Sequence, residues 1–172
     1  MGIRDLLNLP KKENAPSQQR KRLKQNIGEF EHSDKRVKSL AYPTKILVAW
    51  GESISGNKEI RDWLMKNGYP ELGMFCFALR NEDSAQKWLL SRGYPHLLAL
   101  IKAIEGEKDA LIWLRESGEE LLLIMASAAN GDENAKRLLL QKDRVFAALA
   151  MKIERVKDDI EWDNNSIYGI NP

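Results

Sequence analysis

The feature of this sequence that most restricts its fold is an internal repeat of 25 residues, marked by tryptophan at Trp63, Trp88 and Trp113. Further columns recur at the same spacing: Leu64, Leu89, Leu114 and Leu139; Gly68, Gly93 and Gly118; Ala78, Ala103 and Ala128. The copies align without a gap over residues 57–81, 82–106, 107–131 and 132–156. A repeat of this length indicates an array of small supersecondary units that stack on one another.

Each copy has the pattern of two short helices. Acidic residues stand at the start of the first helix, where they offset the positive end of the helix dipole; they are Glu59, Asp83, Asp109 and Asp132. The recurring glycine that follows suits a left-handed C-cap, and Asn81, Gly106 and Gly131 end the second helix. One pair is too small to bury its own apolar face, so neighbouring pairs must stack. We therefore predict an all-α fold, an α/α superhelix (solenoid) of four to five stacked two-helix repeats.

The array is expected to begin before the first full copy. Leu47 falls in a recurring leucine column, and Tyr42-Pro43 matches the later pairs Tyr69-Pro70 and Tyr94-Pro95 with a shift of two residues. Terminal repeats are commonly atypical because they cap the apolar stack. We predict a degenerate first repeat at residues 33–56 and a helical repeat domain over residues 33–160.

Charge is divided unevenly along the chain. Residues 1–45 hold 11 Lys and Arg against five Asp and Glu, a net charge of +6, whereas residues 46–172 have a net charge of −4. The basic, proline-containing stretch 11–24 is too polar to offset its ordering entropy by burial. This composition predicts a basic, mobile leader at residues 1–32 and an acidic, Asn-rich tail at residues 161–172.

The composition excludes several classes of protein. With one Cys and two His, the chain has no disulfide framework and too few ligands for a structural zinc site. No apolar run approaches the roughly 20 residues that a membrane-spanning helix needs, and the first residues lack the layout of a signal peptide. These features favour a cytoplasmic protein that does not contact a membrane, and they leave its oligomeric state open.

Candidate catalytic groups have structural explanations in the repeat. The tryptophans accompany the recurring leucine and are expected in the core, and Cys76 belongs to a column with Ile101, Ala126 and Met151. The acidic pairs lie at helix starts, and no glycine-rich phosphate loop follows a strand. We predict that the chain is not an enzyme and has no catalytic residue, cofactor or metal.

The spacing of alanine, glycine and leucine resembles the helical half of an ankyrin repeat. Gly106 follows Ala103 by three residues, Trp113-Leu114 stands seven and eight residues later, and Gly118 stands at twelve. The resemblance covers residues 44–156, but the Thr-Pro-Leu-His tetrapeptide is missing and the usual ankyrin period is about 33 residues. It implies an ankyrin-like array without β-turn fingers, whose second helices line a binding face.

Two functions of different class remain. In the first, the array is a protein–protein interaction module, and the variable positions of the second helices contact an unidentified protein partner; the candidate residues are Phe77, Arg80, Lys102 and Glu105. In the second, the array is a HEAT-like nucleic-acid-binding protein, and the basic leader with Arg20-Lys21-Arg22 contacts phosphates. The negative charge of the repeats and the lack of aromatic residues in the basic cluster weigh against the second function.

Overall fold

Residues 40–167 are described by a computed structural model, and they form nine α-helices and no strand. The helices are α1 Thr44–Ile54, α2 Lys58–Lys66, α3 Pro70–Leu79, α4 Asp83–Ser91, α5 Pro95–Ile104, α6 Lys108–Glu116, α7 Glu120–Ala129, α8 Glu133–Lys142 and α9 Arg144–Ile167. Each full copy of the repeat is one helix pair, and α1 precedes the first full copy. The predicted all-α solenoid of two-helix repeats is confirmed. No helix in this part of the chain is both long and apolar enough to cross a membrane.

Glycine-dependent turns connect the helices and set their directions. Gly93 has φ +84°, and the Tyr94 amide after it donates to the Leu89 carbonyl at 2.8 Å, which is the Schellman arrangement that satisfies the last carbonyls of a helix. At the end of α3, Asn81 adopts φ +64° where later copies have glycine. Helices joined by such short loops are antiparallel. The second helices of all copies therefore run in one direction.

The repeats close into a ring. We call α1, α3, α5, α7 and α9 the inner helices and α2, α4, α6 and α8 the outer helices. Each inner helix packs against the next, and α9 packs back against α1. This last junction includes an ion pair between Lys152 Nζ and Glu52 Oε1 at 3.0 Å and a hydrogen bond from Lys152 Nζ to Ser55 Oγ at 3.1 Å. An open solenoid has no such contact between its ends, so this superhelix is closed.

The core consists of columns of the repeat on the inner helices. One column places a fully buried side chain on each of them: Trp50, Phe75, Leu100, Met125 and Ala150. Trp50 and Phe75 meet edge to face, with ring centroids 4.9 Å apart, which is a favoured aromatic geometry. From the outer helices, the recurring leucines of positions 64, 89, 114 and 139 are also fully buried. The repeat is therefore a packing repeat.

The tryptophan column differs from the prediction that it lies in the core. Trp113 is buried and Trp88 is half-buried, but Trp63 is 48% exposed. Successive residues of a helix point about 100° apart, so a tryptophan next to an inward-facing leucine lies at the edge of the buried face. Its burial then depends on what flanks it in each copy, and only the leucine is buried in all four.

The last helix is longer than the sequence pattern predicted. α9 has 24 residues and continues to Ile167, whereas the prediction ended it near Val156–Ile160 and assigned residues 161–172 to a tail. At its start Asp143 replaces the turn glycine, and its Oδ1 accepts from the amides of Val145 at 2.7 Å and Phe146 at 3.4 Å. This side chain caps α9. The predictions for the leader, for residues 33–39 and for residues 168–172 lie outside the described residues.

Candidate functional site

The parallel inner helices bring their C-terminal ends to one side of the ring, which we call the C-terminal rim. Cationic side chains lie at these ends. Arg80 donates to the Ile54 carbonyl at the end of α1 at 3.0 Å, and Lys157 donates to Asn130, the C-cap of α7, at 2.6 Å. Because helix C-termini carry partial negative charge, these cations offset the repulsion between helix ends that the parallel packing brings together.

An open cleft of about 320 Å³ lies on the C-terminal rim, between the ends of α3 and α5 and the last turns of α9. Its apolar lining residues are Leu79, Ile101, Ile104 and Ile160, and its polar ones are Asn81, Glu105, Lys157, Glu161 and Asn164. In the ring, α9 is the neighbour of α1 and α7. Since its last turns line a cleft with α3 and α5, they lie across the end of the ring.

The last turns of α9 are acidic and carry an exposed aromatic residue. Asp158, Asp159, Glu161 and Asp163 are all exposed, and Trp162 between them is 71% exposed, but of these residues only Glu161 lines the cleft. Lys157, which also lines the cleft, lies 3.7 Å from Glu161. Apolar side chains are common contact residues in protein interfaces, so the four aliphatic residues of the cleft mark this rim as a candidate docking surface.

The four residues predicted to contact a partner have different environments. Phe77 is half-buried, and the Arg61 guanidinium lies 4.2 Å from its ring centroid. Arg80 hydrogen-bonds carbonyls of α1 and α3. The side chain of Lys102 is 10% exposed and pairs with Glu105 at 2.8 Å. Only Glu105 lines the cleft, and a contact of these four residues with a partner stays a prediction.

Sequence reasoning missed the part of the site that α9 supplies. Residues from Glu161 onward were assigned to a tail, so the cleft residues Glu161 and Asn164 were not candidates. A signal was nevertheless present, because Ile153, Val156 and Ile160 continue a helical apolar spacing of three and four residues beyond the last repeat. Extending that period would have predicted a longer α9.

Cys76 is a buried core residue. Its thiol lies 3.3 Å from Ser53 Oγ and 3.4 Å from the Leu72 carbonyl, and burial raises the pKa of the thiol. A raised pKa removes the thiolate that a nucleophile or metal ligand requires. Within residues 40–167, no three His, Cys, Asp or Glu side chains lie close enough together to hold a metal ion.

The opposite side of the ring, where the inner helices begin, holds aromatic side chains and one buried histidine. Tyr42 donates to Glu71 Oε1 at 2.8 Å, and the rings of Trp88 and Tyr94 stack with centroids 6.0 Å apart. His96 is buried on the first turn of α5, and its Nε2 has no hydrogen-bond partner. Desolvation by burial lowers the pKa of His96 to about 4, so this side chain is neutral at pH 7 and takes part in packing.

Comparison with known proteins finds no matching family model, no matching curated protein and no matching solved structure. The fold itself defines the class of protein: an all-α helical repeat closed into a ring.

Proposed function

We propose that this chain is a non-enzymatic protein–protein interaction module, which binds a peptide segment of a partner protein in the cleft of the C-terminal rim. The observation that carries the proposal is the set of four aliphatic side chains that line the open cleft, Leu79, Ile101, Ile104 and Ile160. The resemblance to finger-less ankyrin repeats supports a helical binding face, and the rim is that part of the second helices and their turns which remains accessible.

The chemistry of the cleft selects an apolar side chain with cationic neighbours. An aliphatic or aromatic residue of the partner packs against Ile104 and Ile160, where burial of apolar area supplies the affinity. Glu105 and Glu161 flank this position, and they attract Lys or Arg beside the apolar residue. The partial negative charge at the C-terminal ends of the inner helices also attracts these cations.

Nucleic-acid binding is the weaker alternative. It rests on the basic cluster Arg20-Lys21-Arg22 with Lys24, and these residues lie outside the described part of the chain. The exposed acidic turn at Asp158 and Asp159 repels phosphates. If the logarithm of the binding constant for random duplex DNA or RNA falls linearly with the logarithm of the salt concentration, nucleic-acid binding is favoured over peptide binding.

Selection of peptides on the intact chain tests the proposal. We expect a displayed random 12-residue library to enrich peptides that carry an aliphatic or aromatic residue between Lys or Arg. Isothermal titration of an enriched peptide should show Kd raised about fivefold or more in Ile160→Ala, because truncation of an interface anchor costs more than about 1 kcal/mol. Glu161→Lys should weaken binding as well, because it reverses a charge on the rim.

Glu116→Lys provides the matched control, since Glu116 is exposed on the outer helix α6 and has the same charge reversal. Its Kd should equal that of the unmodified chain. Failure to enrich any peptide, or binding that Ile160→Ala and Glu161→Lys leave unchanged, would show that the cleft is not the interaction site.

A further inference from the structure

An arginine bridges two neighbouring inner helices at the α1–α3 junction of the C-terminal rim. Arg80 Nη2 donates to the carbonyl of Ile54, the last residue of α1, at 3.0 Å. Its Nη1 donates to the Cys76 carbonyl in α3 at 3.1 Å. One guanidinium thus joins the end of one inner helix to the last turn of the next, where the partial negative charge of helix C-termini favours a cation.

At the next junction, α3–α5, the equivalent position carries an acid. One repeat further along the chain, the bridging arginine corresponds to Glu105, and the two carbonyls that it contacts correspond to those of Leu79 and Ile101. The later copies have Asn130 and Arg155 at this position. A carboxylate accepts hydrogen bonds and cannot donate one to a carbonyl. The end of α3 therefore meets a negative charge where the end of α1 meets a positive one.

This junction is the place where the cleft of the C-terminal rim opens. Leu79, Ile101 and Glu105 all line the cleft. Glu105 Oε2 pairs with Lys102 Nζ at 2.8 Å, and the Glu105 side chain is 33% exposed. Since a carboxylate offers about four lone-pair sites, Glu105 can accept from a second cation that enters the cleft.

The cleft has a further acceptor at a turn where the other copies have none. The equivalents of Asn81 are Gly56, Gly106 and Gly131, and all four residues have positive φ. Asn81 adopts φ +64° with a side chain present, and it lines the cleft. Its amide oxygen accepts from N–H donors. From α9, Glu161 adds a second carboxylate to the lining.

One cation, Lys157, also lines the cleft. Its Nζ donates to Asn130 Oδ1 at 2.6 Å and lies 3.7 Å from Glu161 Oε1, so its charge is engaged by groups of the fold. The carboxylates of Glu105 and Glu161 against this one ammonium give the lining residues a net charge of −1. The lining therefore attracts a cation.

From these observations we infer that the cleft binds an arginine side chain of the partner peptide, in the place that Arg80 occupies at the α1–α3 junction. The guanidinium donates to the Leu79 carbonyl and to the Glu105 carboxylate, because its planar fork of five N–H groups reaches two acceptors at once. A lysine ammonium is a single point charge and spans them less well. The inference rests on the proposed peptide-binding function and names the residue that the partner carries.

Variants of an enriched peptide test this inference by isothermal titration. Replacement of its arginine by citrulline, which keeps the shape of the side chain and removes its charge, should raise Kd about tenfold or more, because hydrogen bonds between charged groups are the strong ones. Replacement of the same arginine by lysine should raise Kd about threefold, since the charge remains and the second contact is lost.

Glu105→Arg should remove the dependence on the peptide arginine, because the chain then supplies its own cation to the end of α3. The citrulline peptide should bind this variant within about twofold of the arginine peptide, as a double-mutant cycle requires when the partner group is gone. Glu116→Arg is the matched control, since Glu116 is exposed on the outer helix α6. It should keep the full difference between the two peptides, and circular dichroism checks that both variants keep their helical signal.

Two outcomes with peptides would overturn the inference: enrichment of peptides that lack arginine, or an equal citrulline effect on the unmodified chain and on Glu105→Arg. In either case, weaker binding to Ile160→Ala would still support the proposed function. If no peptide is enriched, the proposed function fails, and titration of N-acetylarginine amide into the isotope-labelled chain tests the arginine site by itself. Shifts of the Asn81 and Glu105 amide signals that Glu105→Arg abolishes would support the site, and unshifted signals would overturn it.

Discussion

Replacement of His96 by glutamine should remove a large part of the acid sensitivity of this fold. Burial lowers the pKa of His96 from 6.5 to about 4. Above pH 6.5 the imidazole is neutral in both the folded and the unfolded chain, so it adds no pH dependence. Between pH 6.5 and 4 the unfolded chain binds a proton that the folded chain does not, and the free energy of unfolding falls as the pH falls.

The size of the effect follows from the shift. The lowering of the His96 pKa from 6.5 to about 4 corresponds to about 3 kcal/mol, which is a large fraction of the stability of an ordinary domain. Glutamine keeps a polar side chain but does not titrate. Every other titratable group is common to both proteins and cancels in the difference.

Urea unfolding of both proteins at pH 7, 6, 5 and 4 measures this difference. Between pH 7 and 4 the unmodified chain should lose about 3 kcal/mol more than His96→Gln, with most of the divergence below pH 6. Parallel pH profiles of the two proteins would refute the reasoning, because they would show that His96 has the same pKa in the folded and the unfolded chain.

Three further predictions concern packing and turns. Leu89→Ala should lower the free energy of unfolding in urea by about 2–5 kcal/mol, because it empties a fully buried position. Trp63→Ala, at a position 48% exposed, should lower it clearly less. Equal costs would contradict the assigned roles of the two columns. Gly51→Leu should destabilise the fold by about 1–3 kcal/mol or more and abolish the ion pair at the ring junction. The reason is that even a Cβ at Gly51 would lie 3.2 Å from Lys152 Cδ. An unchanged unfolding midpoint would show that α1 and α9 do not pack closely. Gly106→Ala should cost about 1 kcal/mol for backbone strain alone, because Gly106 has φ +82° with no atom near its Cβ position. Gly106→Asn should cost less, because Asn81 holds the equivalent conformation. The reverse order of the two costs would refute the strain argument.

The helices and turns of this fold were predictable because their signals are local. Capping acids, turn glycines and the apolar spacing all act within one 25-residue copy, and the structure has a helix pair in each. The closure of the ring was not predictable in this way. Its contact between Glu52 and Lys152 joins residues 100 positions apart. No column of the repeat indicates that the first and last inner helices contact each other.

The candidate site illustrates the same limit. Variation between copies selected Glu105, which lines the cleft, but it also selected Lys102 and Arg80, whose charges are used within the fold. A sequence column shows which position varies, and it does not show whether a neighbouring helix end occupies that side chain. Glu161 and Asn164, which line the cleft from α9, were missed because the repeat pattern ends before them.

Closure of the ring also restricts how this protein can evolve. An open array can gain or lose a unit by duplication within its gene, because a new unit needs only the neighbours on either side. Here the first and last inner helices already meet, so a sixth unit would force them apart and separate Lys152 from Glu52. The number of copies is set by the angle between neighbours, as in a cyclic oligomer, and variation should therefore accumulate within the copies while their number is conserved.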